Sequence, residues 1–221
     1  GRYAAIVSAT RAAAAAREGK DITVGAVTLR PETVRMLHTP VKGNGADYAS
    51  YLHGVFAGDA AFQGEASRWA AEEVQHGEAL GRWARLADPS WDFESAQKRF
   101  TAGYRVKIDA TESIRGSRTG ELIARCIVEV GTSSYYTALA DRAQEPVLKQ
   151  ICLKIAADEF RHYKLFYDNM KRYQTAENLG FWGRLRIGIG RITESEDDEL
   201  AYAYFAANDL PGPYDRRRSI N

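Results

Sequence analysis

What most constrains this chain is its punctuation: long stretches with helical spacing of apolar residues, broken by a few strong stop-and-start signals. Thr39-Pro40 reads as an N-cap followed by proline in the first helical turn, and Gly58-Asp59 as a turn with a fresh cap. Asp88-Pro89 and Glu145-Pro146 each close one helix, because the residue before a proline is pushed out of helical backbone. No run alternates as a strand would. These marks predict helix A over 40–57, helix B over 59–86, a short connecting helix over 92–106 and a loop over 109–119. Helix C then covers 119–142 and helix D 146–173. Two antiparallel hairpins, A/B and C/D, joined by a long crossover make an all-α, ferritin-like four-helix bundle.

The expected organisation is an N-terminal helical extension over 1–38, the bundle over 39–173 and a C-terminal helical appendage with a tail over 174–221, together one structural domain. A helix is expected over 3–18 and another over 194–207, while 21–38, interrupted by Gly25 and Pro31, has no clear assignment. The total of 221 residues is ample for one buried core. A net charge of +1 gives no field for nucleic acid. No apolar run approaches the roughly 20 residues that cross a bilayer, so no stable membrane insertion is expected. The alanine run 12–16, flanked by Arg11 and Arg17, reads as helix and lacks the leucine-rich centre of a secretory leader. Cys126 and Cys152 both fall in helices, which suits reduced thiols and a cytoplasmic setting.

The chemistry lies in two Glu-x-x-His pairs. Helix B carries Glu73-Val74-Gln75-His76 and helix D carries Glu159-Phe160-Arg161-His162. Three residues span about 300° of helix, so each carboxylate and its imidazole project from one face. One such pair arises often by chance. Two are informative here, because the chain has only 4 histidines and half of them occupy this spacing.

Hairpin geometry supplies an independent check, since residues equally distant from a turn share a level. Glu159 and Glu129 lie 15 residues on either side of Gln144. Glu129 interrupts the apolar run Ile127-Val128-Glu129-Val130, where a carboxylate is costly to bury unless a cation compensates it. It is therefore the candidate bridging ligand. The same count on A/B, centred on Gly58, pairs Glu73 with Gly43, beside Lys42. A symmetric di-iron bundle has a Glu from each of helices A and C; the nearest acids here are Asp47, about one turn away, and Glu32, outside helix A.

Lys42 admits two roles. It snorkels to solvent while Asp47 or water completes the site, or it points inward as a neutral amine ligand, proton donor or target of oxidation. Beside two cations its ammonium would be disfavoured. Around the imidazoles, Asp158 is expected to accept a hydrogen bond from His76 and Glu72 one from His162, crossing the pseudo-twofold axis; the alternative is that both are solvated acids. Such partners fix the tautomer and raise ligand basicity.

The stretches Ala71-Glu72-Glu73-Val74-Gln75-His76-Gly77 and Ile155-Ala156-Ala157-Asp158-Glu159-Phe160-Arg161-His162, with Ile151-Cys152 just before, resemble the two metal-binding motifs of the soluble acyl-carrier-protein desaturases. The resemblance covers about 59–173. It implies a non-haem di-iron centre with Glu73, His76, Glu129, Glu159 and His162 as ligands. The chain departs from that family at the first-helix glutamate, where Lys42 or its neighbours stand, and in being shorter.

Of the remaining residues, Trp69 and Tyr136 are candidate walls of a substrate pocket, with core packing the plainer role for Tyr136, as for Tyr135 and Tyr163. His53 is expected to be structural or at the surface, His38 to lie outside the bundle, and both cysteines to fill core. The apolar positions Phe181, Trp182, Leu185, Ile187, Ile189 and Ile192, interleaved with Arg184, Arg186 and Arg191, suit packing across the bundle end or contact with a membrane or partner.

Together these features predict an O₂-dependent di-iron oxidase or oxygenase acting on a small apolar or acyl-type substrate. It would hold two Fe ions, or Mn or mixed Mn/Fe, work with an unspecified electron donor and exist as a monomer or homodimer. The alternatives are iron handling, which predicts a large cage; peroxide detoxification of the rubrerythrin kind, for which the chain has no Cys-x-x-Cys pair; and a degenerate, metal-free bundle serving as an interaction module.

Overall fold

Each long helix starts on a side chain that satisfies its first free N–H groups, as helix termini require. The computed structural model describes residues 22–24, 27–29, 45–103, 108–143, 145–194, 198–209 and 211–215. Helix α1 (Gly45–Val55) leads through a turn to α2 (Ala60–Ala87), where Asp59 Oδ1 accepts the Phe62 N–H at 3.1 Å. Gly58 in that turn has φ +88°, a backbone region that a Cβ disfavours. The crossover carries α3 (Phe93–Gly103). Helix α4 (Arg118–Arg142) begins where Ser117 Oγ accepts the Gly120 N–H at 2.9 Å. Helix α5 (Pro146–Glu177) begins where the Glu145 carboxylate accepts the N–H groups of Val147 and Leu148 at 3.1 and 2.7 Å. It ends on left-handed Asn178, φ 48°.

The architecture is the expected all-α, ferritin-like bundle: hairpins α1/α2 and α4/α5 joined by the crossover. Two apolar cores fill it. One gathers Leu52, Phe56, Phe62, Leu122 and Phe166 around the α1/α2 turn. The other gathers Leu80, Trp83, Tyr136, Leu139, Leu148 and Ile155 around the α4/α5 turn. Each fully buried Phe or Leu contributes about 1.5–3 kcal/mol. Across one hairpin's end, Arg118 donates to Val55 O at 2.9 Å and Ala57 O at 3.2 Å, satisfying carbonyls that α1 leaves free.

Several boundaries differ from the sequence expectation. Helix α5 continues to Glu177 rather than stopping at Tyr173. The expected start of helix A at 40 and the helix over 3–18 lie outside the described residues, as does His38. Within 21–38, where no strand was expected, β1 (Ile22–Val24) pairs antiparallel with β2 (Val27–Leu29), Ile22 opposite Leu29. Strands of 3 residues are too short to show an alternation. The C-terminal part holds two helices rather than one: α6 (Phe181–Glu194) and α7 (Asp198–Ala207). Helix α7 returns to the crossover, where Trp91 Nε1 donates to Ala207 O at 2.9 Å and Arg99 Nε to Ala206 O at 2.8 Å. Among the described residues no helix is long and apolar enough to cross a membrane.

Candidate metal centre

Between the two apolar cores lies a level of buried polar side chains. Glu73 and His76 come from α2, Glu129 from α4, and Glu159 and His162 from α5; all are buried. Each reaches inward because the residues one turn away, such as Ala70 and Leu80 on α2 or Ile155 and Phe166 on α5, face the cores on the same side. Ligand atoms of Glu73, Glu129, Glu159 and His162 all lie within 4.8 Å of one another. His76 joins them from the facing side, with Nδ1 at 3.5 Å from Glu159 Oε1 and 3.8 Å from Glu73 Oε1. His162 Nδ1 lies 3.3 Å from Glu73 Oε1 and 3.6 Å from Glu129 Oε2. The ring centroids are 5.8 Å apart.

The outer face of each imidazole is engaged in the crossed arrangement expected from the sequence. His76 Nε2 lies 3.0 Å from Asp158 Oδ2, and His162 Nε2 lies 2.8 Å from Glu72 Oε2. With Nε2–H donating outward, the Nδ1 lone pair of each ring is left facing the carboxylates. Those inward atoms, His76 Nδ1, His162 Nδ1 and Glu129 Oε2, are buried and have no hydrogen-bond partner among the described residues. Polar atoms left without partners in a dry interior are costly unless a cation takes them up. The donor set, hard carboxylates with imidazole nitrogens, suits a divalent transition metal. The residues present fit a metal site.

Electrostatics point the same way. Burial pushes the Glu129 carboxyl well above the usual carboxylate range, and Glu159 and Glu73 push it further against the opposing pull of His162. Burial would lower the His162 imidazole, yet contact with Glu129, Glu73 and Glu72 raises it. The cluster thus attracts positive charge. The thiols nearby are quiet: burial pushes Cys126 and Cys152 each up to about 12, so neither is a thiolate at neutral pH.

On the α1 side the structure corrects the register. Gly45, not Gly43, sits level with Glu73; a Cβ there would come within 2.6 Å of Ala70 O and 3.3 Å of Glu73 Cβ. Asp47, which with water was one of the two options for completing the site, is exposed and not part of the group, because the face of α1 one turn on that packs inward carries Tyr51 and Leu52. Lys42 lies outside the described residues. Trp69 is buried edge-on to His162, ring centroids 6.5 Å apart, and so walls the centre. Tyr136 belongs to the core at the α4/α5 turn. His53 is structural, with Nε2 3.0 Å from Gln63 O and from Ser67 Oγ.

Two neighbours went unnoticed in the sequence. Thr132 Oγ1 donates to Glu159 Oε2 at 2.7 Å; its place one turn after Glu129 was the available signal. Arg161 donates to Asp158 Oδ1 at 2.6 Å and reaches Glu72 Oε2 at 3.3 Å, tying the two outer acids together.

No curated protein and no solved structure matches the chain. The fatty acid desaturase profile matches residues 56–178. That stretch is just over half of the chain and contains every side chain of the buried acid–imidazole level, from Glu73 to His162. The chain belongs to the fatty acid desaturase family, whose chemistry is oxygen-dependent oxidation of acyl substrates.

Proposed function

We propose that this protein is an O₂-dependent di-iron oxidase of the acyl-carrier-protein desaturase kind, acting on an acyl-type chain. The observation that carries it is the inward convergence of Glu73, Glu129, Glu159 and His162 within 4.8 Å, with His76 Nδ1 facing the same group. Glu129 and Glu159, from one hairpin, and Glu73, from the other, would hold two ions with one imidazole each from His76 and His162. When bound, iron supplies the reduction of O₂ to an oxidant able to take hydrogen from an unactivated C–H bond, the electrons coming from an external donor.

The chain's own side chains do the rest. Asp158 and Glu72 hold the two imidazoles in the tautomer that leaves Nδ1 available. Thr132 orients Glu159 through its hydroxyl. Trp69, Phe166 and Cys126 exclude water from the α1/α2 side. Carboxylates suit such a centre because they change binding mode as metal charge rises. Manganese in one or both positions is the nearest variant.

Anaerobic loading with Fe(II), metal analysis and exposure to O₂ under optical spectroscopy tests this directly. Two irons per chain that oxidise rapidly support it. Well-folded protein that takes up no transition metal overturns it and leaves an interaction module. A large cage by native mass would assign the centre to iron storage instead. The missing first-helix glutamate has its own test: if Lys42 faces the centre, Lys42→Glu should tighten Fe(II) binding, on the order of tenfold by the scale of ligand-shell changes. Unchanged affinity and unchanged O₂ reactivity place Lys42 in solvent.

A further inference from the structure

Helix α6 lies outside the matched region and is built inside out. It rests on α4 through a glycine-bearing face. Ile187 Cδ1 occupies the space a Cβ at Gly120 would need, 2.8 Å away, and Ile127 Cδ1 lies 3.6 Å from where a Cβ at Gly188 would stand. Gly183, Ile187, Gly188, Gly190 and Arg191 are the partly covered positions. The opposite face holds Phe181, Trp182, Leu185, Ile189 and Ile192, which fall within about 100° of arc. Their exposures are 60, 77, 39, 54 and 54%. A contiguous outward apolar stripe of this kind marks an interaction surface rather than core.

Its flanks identify the occupant. Arg186 borders the stripe on one side, Arg184 and Arg191 on the other, and no acid occurs between Glu177 and Glu194. A second copy docking through the same face would bring two arginine rims together, which like-charge repulsion opposes. An anionic lipid surface meets every feature: aliphatic and aromatic side chains enter the acyl–headgroup boundary while arginines extend to phosphates. We propose that α6 is a peripheral docking helix that seats this face of the bundle on an anionic membrane surface. The helix lies along the surface and spans nothing, and its role is independent of the metal centre.

The test uses the full chain with lipid vesicles. Trp69, Trp83 and Trp91 are buried at 4, 6 and 6% exposure, so a change in tryptophan emission on lipid contact reports Trp182. Vesicles containing phosphatidylglycerol should shift that emission to the blue and carry the protein in flotation, whereas pure phosphatidylcholine should do so weakly. Each arginine near an anionic surface contributes roughly fivefold in partitioning, so Arg184→Gln with Arg186→Gln should weaken binding about 25-fold. Ile189→Asp should abolish the shift, with unchanged circular dichroism because the position is exposed. No association with anionic vesicles overturns the proposal, as does association that these substitutions leave intact. A concentration-dependent dimer dissolved by Ile189→Asp would also overturn it, assigning the stripe to self-association.

Discussion

The two hairpins share a plan but contribute unequally to the centre between them. The α4/α5 hairpin brings two carboxylates and an imidazole, Glu129, Glu159 and His162, together with the Thr132 hydroxyl that holds Glu159. The α1/α2 hairpin brings Glu73 and His76 from α2, but at the same level α1 has Gly45, pressed against the α2 backbone, and its nearest acid, Asp47, is exposed. Charge is therefore concentrated on one hairpin while the other supplies close backbone contact. Among the described residues, α1 supplies no carboxylate to the buried group. With both Glu129 and Glu159 on the α4/α5 hairpin, that hairpin is expected to govern the metal affinity of the proposed centre.

Glu129→Gln tests that dependence most severely. Burial pushes the Glu129 carboxyl up and the pull of His162 offsets this only in part, so the residue is unfavourable in the metal-free protein. The variant should lose metal affinity by more than about 100-fold, beyond the 10–100-fold range seen for outer-shell changes. In the same protein without metal, the thermal midpoint should rise, because a buried charge demand has been removed. Metal analysis and calorimetry of apo and loaded forms read both effects. A fall in apo stability with intact metal content would show that Glu129 is a structural partner rather than a ligand.

The outer acids sharpen the comparison, since each hairpin's imidazole is held by an acid from the other. Asp158→Asn loosens His76 of α2 and Glu72→Gln loosens His162 of α5. Each should cost about 10–100-fold in metal affinity, measured by competition with a chelator. The inequality of the hairpins predicts the larger loss for Glu72→Gln, because His162 belongs to the richer half. Equal losses would mean that the two halves act as one unit, coupled through Arg161, which contacts both acids.

Much of this centre could be read from the chain because its determinants are local or follow from simple hairpin symmetry. Asp59 and Glu145-Pro146 mark helix starts by chemistry that acts within three residues, whereas the Ser117 cap of α4 lies ahead of the start expected at Thr119. Glu129 was found because an antiparallel hairpin with a tight turn maps equal distances onto equal heights. The same count failed by two residues on α1, where Gly45 rather than Gly43 sits level with Glu73. Arg161 and Thr132 escaped because their partners depend on the rotation of neighbouring helices, which no single-helix pattern carries. Helix α6 escaped for another reason: Gly183, Gly188 and Gly190 lower helical propensity, by roughly 1 kcal/mol each relative to alanine, and packing on α4 overrides it. The matched family region ends at residue 178, before that helix begins.

The smallest expected effect separates the hairpins by their turns. Asp59 caps α2 and also meets α5, accepting from Tyr173 Oη at 2.6 Å and Arg172 at 2.5 Å. Glu145, in the other turn, caps α5 and accepts from Trp83 Nε1 at 2.7 Å. Burial would raise the Asp59 carboxyl, but Tyr173, the Phe62 N–H and Arg172 hold it at about 2. A depressed carboxylate contributes stability that is complete above its ordinary value of 3.8 and is lost as pH falls through about 2. Asp59→Ala should therefore cost about 1 kcal/mol at neutral pH, the usual worth of an N-cap, in urea unfolding. The gap between variant and wild type should narrow steadily below pH 4 and close only once the pH lies below about 2. A gap that stays constant across that window would show that Asp59 acts through packing of the turn and not through its charge.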